Sequence, residues 1–357
     1  MMGKMSKVCI IAAGRNMDGK GDLAEGLLLE KSLRNRGLDA IELVVDPLAA
    51  GWDTPIAAGH YRSGCGPLEA LRDGCRIISS GRAPLVIVSG EDPLKTGYSR
   101  EQRHRMMAIY GPDYPLPVGY TAVARAFMAR HNLQESRFRR LAELLFENYL
   151  RSARRAGLKG LPEGRWYEPV TDLFRGVDCA NPVVDFTGRI VLGSDDLAAA
   201  CAVPTERCVR VLAVGLGALS GDGPASVPDV AAYGHLESAF REACRQADVD
   251  FTARFLEGAA LLEAYTCYPV VPLAFLLKTG IAPSLEAVPE LLERFEITVT
   301  GGMNLGRAAW NNPALNALIV MYRRLTEGPI ALGAVHGNGG LGYRQGVALL
   351  DRVEHGR

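Results

Sequence analysis

The sequence lacks the features that mark several common classes of protein. Lysine plus arginine and aspartate plus glutamate both number 40, so the chain has no net charge to attract nucleic acid. No apolar run reaches the roughly 18 residues of a membrane-spanning helix. The polar first residues have no signal peptide behind them. We therefore expect a cytoplasmic protein with neither a nucleic acid nor a membrane as its partner.

Motifs for metals, dinucleotides and serine nucleophiles are missing as well. None of the eight cysteines forms a C-x-x-C pair, so we expect no zinc or thioredoxin site and assign no metal ligands. Most cysteines have apolar neighbours and are typical of reduced core residues in a reducing compartment. The first strand is followed by 13–16, which lack the Rossmann glycine pattern. Ser89-Gly90 lacks the G-x-S-x-G spacing of serine hydrolases.

The remaining pattern predicts a large α/β protein. A chain of 357 residues with 48% hydrophobic content suggests two domains or one duplicated unit. Short apolar strands alternate with helices, which is typical of a sheet covered by helices on its faces. The first set is predicted as strands at 8–13, 41–45, 85–88 and 185–192 and helices at 22–36, 68–80 and 195–202. The second set is predicted as strands at 209–216, 261–265, 297–300, 330–335 and 345–350 and helices at 230–247, 270–277 and 314–325.

The two sets share a β-α-β-α-β order, so gross duplication is the economical account. We predict an N-terminal half at 1–204 and a C-terminal half at 205–357. An arginine-rich, mostly helical insertion interrupts the first half at about 95–178. Its basic face, which includes Arg151 and Arg154, is either a phosphate-binding surface or a solvated helix face.

Two kinds of residue in these sets could carry chemistry. Cys65 lies just before the predicted helix at 68–80, where unpaired amide groups and the helix dipole would lower a thiol's pKa. A pair between Cys65 and His60 is a lower-ranked alternative. His336 opens a stretch with four glycines in the six positions 337–342. Glycine at that density lets a backbone turn tightly and approach a ligand, although a hairpin with a solvated histidine fits the same letters.

Three segments resemble one known family. They are Thr298–Asn312, which contains Gly301-Gly302, Leu262–Pro269, and the glycine stretch His336–Gly342. They look like the Gly-Gly turn, the oxyanion loop and the last catalytic turn of the thiolase superfamily, in its sterol-carrier-type and thiolase-like acetyl-CoA acetyltransferase branch. The resemblance covers nearly the whole chain. It implies a duplicated five-layer α/β/α/β/α fold, usually dimeric, with the insertion as a loop domain over a coenzyme A pocket.

The resemblance also implies roles for single residues. The family uses a cysteine nucleophile, hydrogen-bond donors to the thioester oxygen and an acid/base in the last turn. Carried onto this chain, these roles fall on Cys65 as nucleophile, Tyr265 as donor and His336 as acid/base. Alignment on the helix at 68–80 puts Gly64 at the nucleophile's place, and a slip of one residue restores Cys65. At the Gly-Gly segment, Ala308 stands at the position of the family's polarising histidine, and Tyr265 stands where the middle loop has a histidine or asparagine.

Coenzyme A binding is predicted at seven positions, namely Gly301, Gly302, Asn338, Gly339, Gly340, Arg151 and Arg154. Two functions follow from the resemblance. The first is a thiolase-like acyltransferase with a modified site, which takes a coenzyme A thioester as substrate and holds no covalent cofactor. The alternative is a non-catalytic thiolase-fold subunit that binds coenzyme A or supports a heteromeric complex. The partner would be a second copy, another thiolase-like chain or a small accessory subunit.

Overall fold

A computed structural model describes residues 7–160 and 162–353, which form ten strands and thirteen α-helices. The elements up to the middle of the chain are β1 (Val8–Met17), β2 (Lys20–Asp22), α1 (Ala24–Asn35), β3 (Ala40–Val45), β4 (His60–Tyr61), α2 (Gly66–Ser79), β5 (Leu85–Pro93), α3 (Arg100–Met107), α4 (Leu116–Arg130), α5 (Glu135–Arg155), β6 (Asp185–Ser194) and α6 (Asp195–Ala200). They are followed by β7 (Val209–Ala218), α7 (Val227–Val230), α8 (Gly234–Ala247), α9 (Phe251–Leu256), β8 (Ala260–Glu263), α10 (Val270–Lys278), α11 (Val288–Arg294), α12 (Gly302–Leu305), α13 (Pro313–Glu327), β9 (Leu332–Gly339) and β10 (Arg344–Arg352).

The strands repeat one pairing pattern twice. Their order is β4-β3-β5-β6-β1-β7-β10-β9-β8, and β2 forms a hairpin with β1. In the first half β3 runs parallel to β5, whereas β5–β6 and β6–β1 are antiparallel. In the second half β8 runs parallel to β9, whereas β9–β10 and β10–β7 are antiparallel. This repetition agrees with the predicted duplication, while the boundaries at 1–204 and 205–357 remain predictions.

Helix α2 lies between the two halves of the sheet. It contacts β3, β5 and β6 of the first half and β7, β9 and β10 of the second. Leu68 and Leu71 are fully buried on it, and Pro67 suits its first turn because proline lacks the amide hydrogen that no residue would accept there. Helix α13 contacts strands of both halves in the same way, and α1, α6 and α8 each contact strands of one half. The N-terminus of α2 therefore points at the β9–β10 hairpin.

The inserted helices α3, α4 and α5 are present as predicted. Helix α5 buries an apolar face that includes Phe138, Leu145 and Tyr149. Several of its arginines pair with nearby acids, as Arg139 does with Glu135 at 2.7 Å. Exposed pairs of this kind contribute less than about 1 kcal/mol each. Because these arginines are paired with acids, this part of the insertion is better explained as a solvated helix face than as a phosphate-binding surface.

Three predicted elements differ from the structure. The strand predicted at 297–300 is wrong, because the backbone N–H groups of Val299 and Thr300 donate to the Glu263 carboxylate instead of to a neighbouring strand. The helix predicted at 230–247 begins at Gly234, after Tyr233 adopts a left-handed φ of 50°. The turn predicted after His336 begins only at Gly340, since β9 continues in register with β10 to Gly339.

No helix in the described ranges combines the length and apolar character that crossing a bilayer requires. All eight cysteines are free.

Candidate active site: a tyrosine-lined cavity

A cavity of about 470 Å³ lies where the inserted helices meet the loops of both halves. Its volume is in the range of about 300–1,000 Å³ that is usual for small-molecule sites. Its outer wall is mainly apolar and comes from the insertion, with Met107, Ile109 and Val118 among its residues. Among the residues that the structure describes, no Asp, Glu, Lys or Arg lines it. The cavity therefore suits an uncharged, apolar group. We call it the tyrosine-lined cavity, after Tyr120, Tyr265 and Tyr268.

The polar end of this cavity is built around Tyr265 and Gly64. A Cβ atom added to Gly64 would lie 1.8 Å from the Tyr265 hydroxyl oxygen and 2.5 Å from the Asn338 carbonyl oxygen. The tyrosine hydroxyl thus fills the space that a side chain at position 64 would need. Tyr265 is 7% exposed, and its hydroxyl has no hydrogen-bond partner within 7–160 and 162–353. Burial raises the pKa of Tyr265 well above that of an ordinary phenol, so the group is a neutral donor that faces the cavity.

Cys65 lies beside this end but faces away from it. The residue precedes α2, is 1% exposed and does not line the cavity. Its sulfur packs against β10, since a Cβ on Gly346 would lie 2.9 Å from the Cys65 Sγ. Burial raises the pKa of the Cys65 thiol well above its ordinary value, and the nearby Glu69 raises it further. The predicted lowering of this pKa is therefore not found: desolvation is the largest effect, and it exceeds the opposing effect of Arg344 and Arg72.

His336 points to the opposite face of the same hairpin. Side chains alternate along a strand, and Gly337 faces α2, where an added Cβ would lie 3.3 Å from the Cys65 Cα. The neighbouring His336 therefore faces away from α2, where its ring centroid lies 4.5 Å from that of Phe275. The fold does not bring Cys65 and His336 together. His60 is no substitute, because its Nδ1 contacts Asp46 at 2.6 Å.

Both ring nitrogens of His336 already have hydrogen-bond partners. Nδ1 accepts the Tyr265 backbone N–H at 3.3 Å, and Nε2 lies 2.7 Å from the Gln345 Oε1. Burial lowers the pKa of His336 to about 4, so the ring is neutral above that pH. A ring held in this way links the loop of Tyr265 to β10. It has no free lone pair with which to take a proton from a ligand.

Asn338 continues this link into the cavity wall. Its Nδ2 donates to the Tyr120 hydroxyl at 2.9 Å, and the Tyr120 hydroxyl donates to the Gly340 carbonyl at 2.7 Å. Cys267 lies at the same end, 3.9 Å from the Asn338 Nδ2, and burial raises the pKa of this thiol to about 12. We call His336, Gln345, Asn338 and Tyr120 the carboxamide network.

The other predicted binding residues are distributed unevenly. Gly340 lines the cavity, whereas Gly339 faces Ser63, whose Oγ would be 2.6 Å from an added Cβ. Gly301 and Gly302 adopt positive φ values of 90° and 73° before α12 and lie outside the lining. Arg151 donates to the Leu292 carbonyl, and Arg154 is exposed; neither lines the cavity. Coenzyme A contacts at these positions remain predictions.

The loop around Ala308, where the resemblance implies a histidine, has a structural role. Ala308 is 1% exposed in the core, while Trp310 and Asn311 line the cavity. The Asn311 side chain accepts the Ser63 backbone N–H at 2.9 Å and donates to the Asp46 carbonyl at 2.8 Å. Asn311 thereby fixes the segment that leads into Gly64.

Glu263, at the end of β8 and two residues before Tyr265, holds the backbone of Val299 and Thr300. Its carboxylate accepts the N–H of Val299 at 2.6 Å and the N–H and hydroxyl of Thr300 at 2.9 Å and 2.5 Å. Burial raises the pKa of Glu263 to about 7, although these three donors act in the other direction. The carboxylate does not line the cavity.

Comparison with known proteins gives no sequence-level assignment. No family model matches the chain, and no curated protein matches it. Solved structures do match. One is a monomeric SCP2-thiolase-like protein of type 1 (STLP1) from Mycobacterium smegmatis, which is 18% identical with a TM-score of 0.70 over 99% of this chain and 79% of that chain. Another is named Ltp2-ChsH2(DUF35) aldolase and is 12% identical with a TM-score of 0.66 over 98% of this chain and 99% of that one.

The fold is thiolase-like. At these identities the likeness shows the fold alone, so the predicted α/β thiolase-like fold is confirmed. The five-layer arrangement, the branch of the superfamily and the roles of single residues remain predictions. Sequence reasoning missed Tyr120 and Gln345. Gln345 directly precedes the apolar run 346–350, and this polar residue beside a buried strand could have been singled out from the sequence.

Proposed function

We propose that this protein acts on the carbonyl of an acyl thioester, such as an acyl-coenzyme A, without forming an acyl-enzyme on Cys65. The acyl group would occupy the tyrosine-lined cavity. One observation carries this proposal. A neutral, unpartnered Tyr265 hydroxyl faces the cavity at Gly64, while the Cys65 thiol lies outside it. The site thus offers a hydrogen-bond donor at Tyr265, while the thiol that does line it, Cys267, stays protonated because burial raises its pKa to about 12.

A donor at this place favours reactions in which charge develops on the thioester oxygen. The Tyr265 hydroxyl would donate to that oxygen, and a donor of this kind is worth about 10²–10³ in rate. Enolisation beside the thioester and aldol-type cleavage or formation of a carbon–carbon bond need such a donor and no acyl-enzyme. They also need a base for the departing proton, and among the described lining residues the imidazole of His104 would take that part. The word aldolase in the name of one structural neighbour supports this class of reaction. Acyl transfer directly to a bound acceptor would use the same donor.

The cavity also limits the part of the substrate that it takes. Charged side chains do not occur among its described lining residues, so the phosphates of coenzyme A would stay outside, and only the uncharged acyl part would enter. Its volume of about 470 Å³ far exceeds the need of an acetyl group. We therefore favour a long or bulky apolar acyl chain. Coenzyme A would arrive as part of the substrate, with no covalently bound cofactor.

A second candidate is a non-catalytic subunit that binds the thioester for a partner. One observation favours it: no carboxylate of the described chain lines the cavity to serve as general base, and the lining imidazole of His104 is exposed on α3. The name of one structural neighbour joins Ltp2 to ChsH2(DUF35), which supports a small accessory subunit as the partner. A second copy of this chain is the other arrangement to test.

Intact mass spectrometry and calorimetry with decanoyl-CoA test the proposal. We expect binding with no acyl adduct on the wild type, unchanged binding by Cys65→Ala, and binding at least about tenfold weaker for Tyr265→Phe, as loss of one hydrogen bond predicts. Tyr167→Phe is the matched control, since Tyr167 is 43% exposed on the insertion. A decanoyl adduct that Cys65→Ala abolishes would overturn the proposal. Turnover of decanoyl-CoA by the purified chain alone would exclude the non-catalytic candidate.

A further inference from the structure

Gln345 is a fully buried polar side chain at the start of β10. It is 0% exposed and lies across the hairpin from Asn338. Its Nε2 donates to the Asn338 Oδ1 at 2.6 Å and to the Gly342 carbonyl at 2.9 Å, and its Oε1 lies 2.7 Å from the His336 Nε2. These contacts use both hydrogens and the oxygen of the carboxamide. A buried amide satisfied in this way has one orientation.

That orientation determines the state of His336. The backbone carbonyl of Gly342 can only accept, so the nitrogen of the Gln345 side chain must face it and the oxygen must face His336. The His336 Nε2 must then carry a hydrogen. Its Nδ1 is left with a lone pair, which the Tyr265 N–H meets. No charged side chain of the described residues acts on the ring, whose other neighbours are Phe275 and, across the hairpin, Val347.

The same carboxamide reaches both walls of the cavity. Through His336 it holds the backbone N–H of Tyr265, whose hydroxyl faces the cavity at Gly64. Through Asn338 it holds the Tyr120 hydroxyl, which in turn binds the Gly340 carbonyl. The two walls come from separate parts of the chain, so their spacing depends on a group that bonds to both.

We propose that Gln345 is the positioning residue of this site, and that its carboxamide fixes His336 as the neutral Nε2–H tautomer and sets the distance between the Tyr265 and Asn338 walls. As a role in ligand handling this rests on the proposed function, whereas the tautomer can be measured without any ligand. Gln345 touches no ligand itself. It acts through His336 and Asn338, and His336 serves as a connector whose proton stays in place.

The first test is NMR of the unliganded full chain labelled with ¹⁵N-histidine. The His336 signals are identified by their absence in a His336→Gln sample. We expect the Nε2–H tautomer, unchanged from pH 5 to pH 8. An Nδ1–H tautomer, or a proton gained within that range, would overturn the proposal. This measurement needs no substrate and no folded Gln345 variant, so its failure is distinct from failure of the proposed function.

The second test compares two substitutions of Gln345. Gln345→Glu keeps an acceptor for His336 but loses the donor to Asn338, and we expect His336 to become an imidazolium near neutral pH. Gln345→Met removes all three bonds of the carboxamide, and we expect the preference for one tautomer to disappear. Both variants should bind decanoyl-CoA about tenfold more weakly, as loss of a network hydrogen bond predicts. Gln246→Met, on the exposed face of α8, is the matched control.

The outcomes separate positioning from simple packing. If Gln345→Glu leaves the His336 signals of a folded protein unchanged, the proposal is wrong. If both variants shift the His336 signals but bind decanoyl-CoA like the wild type, the positioning role is wrong although the tautomer assignment holds. If the wild type binds no decanoyl-CoA while the NMR result is as expected, the proposed function fails and the network remains.

Discussion

Replacing Gly64 by alanine should destabilise the protein, although its backbone alone suggests the opposite. The φ of Gly64 is outside the left-handed region, and at such a position Gly→Ala commonly stabilises by about 0.4–1 kcal/mol. Here the new methyl group would lie 1.8 Å from the Tyr265 hydroxyl oxygen, 2.5 Å from its Cζ and 2.5 Å from the Asn338 carbonyl oxygen. The carbonyl belongs to β9 and cannot move without disturbing its pairing with β10.

The magnitude follows from these contacts. Overpacking of a core costs about 1–3 kcal/mol, and two obstacles, of which one is backbone, favour the upper half of that range. After subtracting the gain from the unfolded state, we expect Gly64→Ala to lose about 2 kcal/mol. Urea unfolding measures it as a shift of the midpoint. Gly26→Ala is the control, since nothing lies within 4 Å of a Cβ at that position in α1, and it should gain stability.

A double-mutant cycle tests the reason for the loss. Tyr265→Leu removes the ring that meets the new methyl group but leaves the Asn338 carbonyl in place. In that background Gly64→Ala should cost at least about 1 kcal/mol less than in the wild type. An equal cost in both backgrounds, or a stable Gly64→Ala protein, would refute the idea that the Tyr265 hydroxyl occupies the space beside Gly64.

Three further outcomes follow from the geometry. The pKa of Glu263 is raised to about 7 from an unfolded value of 4.5, so its contribution to stability is complete below pH 4.5 and is lost as pH rises through 7. That shift corresponds to roughly 3 kcal/mol, and the pH dependence of urea unfolding should therefore lose this component in Glu263→Gln. Ala180→Phe, which narrows the cavity beside the Cys267 carbonyl, should weaken decanoyl-CoA binding more than acetyl-CoA binding in calorimetry. Iodoacetamide should label the partly exposed Cys201 in the native protein but reach Cys65 only after unfolding, as peptide mass mapping would detect.

Much of the fold could be predicted from local patterns in the sequence. Apolar runs such as 8–13 and 85–88 lie in β1 and β5, and the region predicted as a mostly helical insertion contains α3, α4 and α5. The pairing of strands could not be predicted from local patterns. The stretch 297–300 looks like a strand because it is rich in β-branched residues. Its amide groups are instead held by Glu263, from a distant element, and no local pattern reports such a partner.

The site was harder to predict because it depends on which face of a strand each residue occupies. Glycines after His336 suggested a turn that would expose the imidazole. The pairing of β9 with β10 extends past it, so His336 lies inside and its neighbour Gly337 faces α2. One residue of register decides between the two faces of a strand. A shift of one residue matters in the same way just before α2. Gly64 lines the cavity, whereas its neighbour Cys65 does not.

The proposed role of Tyr265 is tested most directly by a crystal structure with a decanoyl-CoA analogue in which a methylene replaces the thioester sulfur. We expect the analogue's carbonyl oxygen to lie about 2.5–3.0 Å from the Tyr265 hydroxyl oxygen, with an unmodified Cys65 still packed against Gly346. An acyl carbonyl directed at the Cys65 sulfur, with Tyr265 turned away from Gly64, would contradict it.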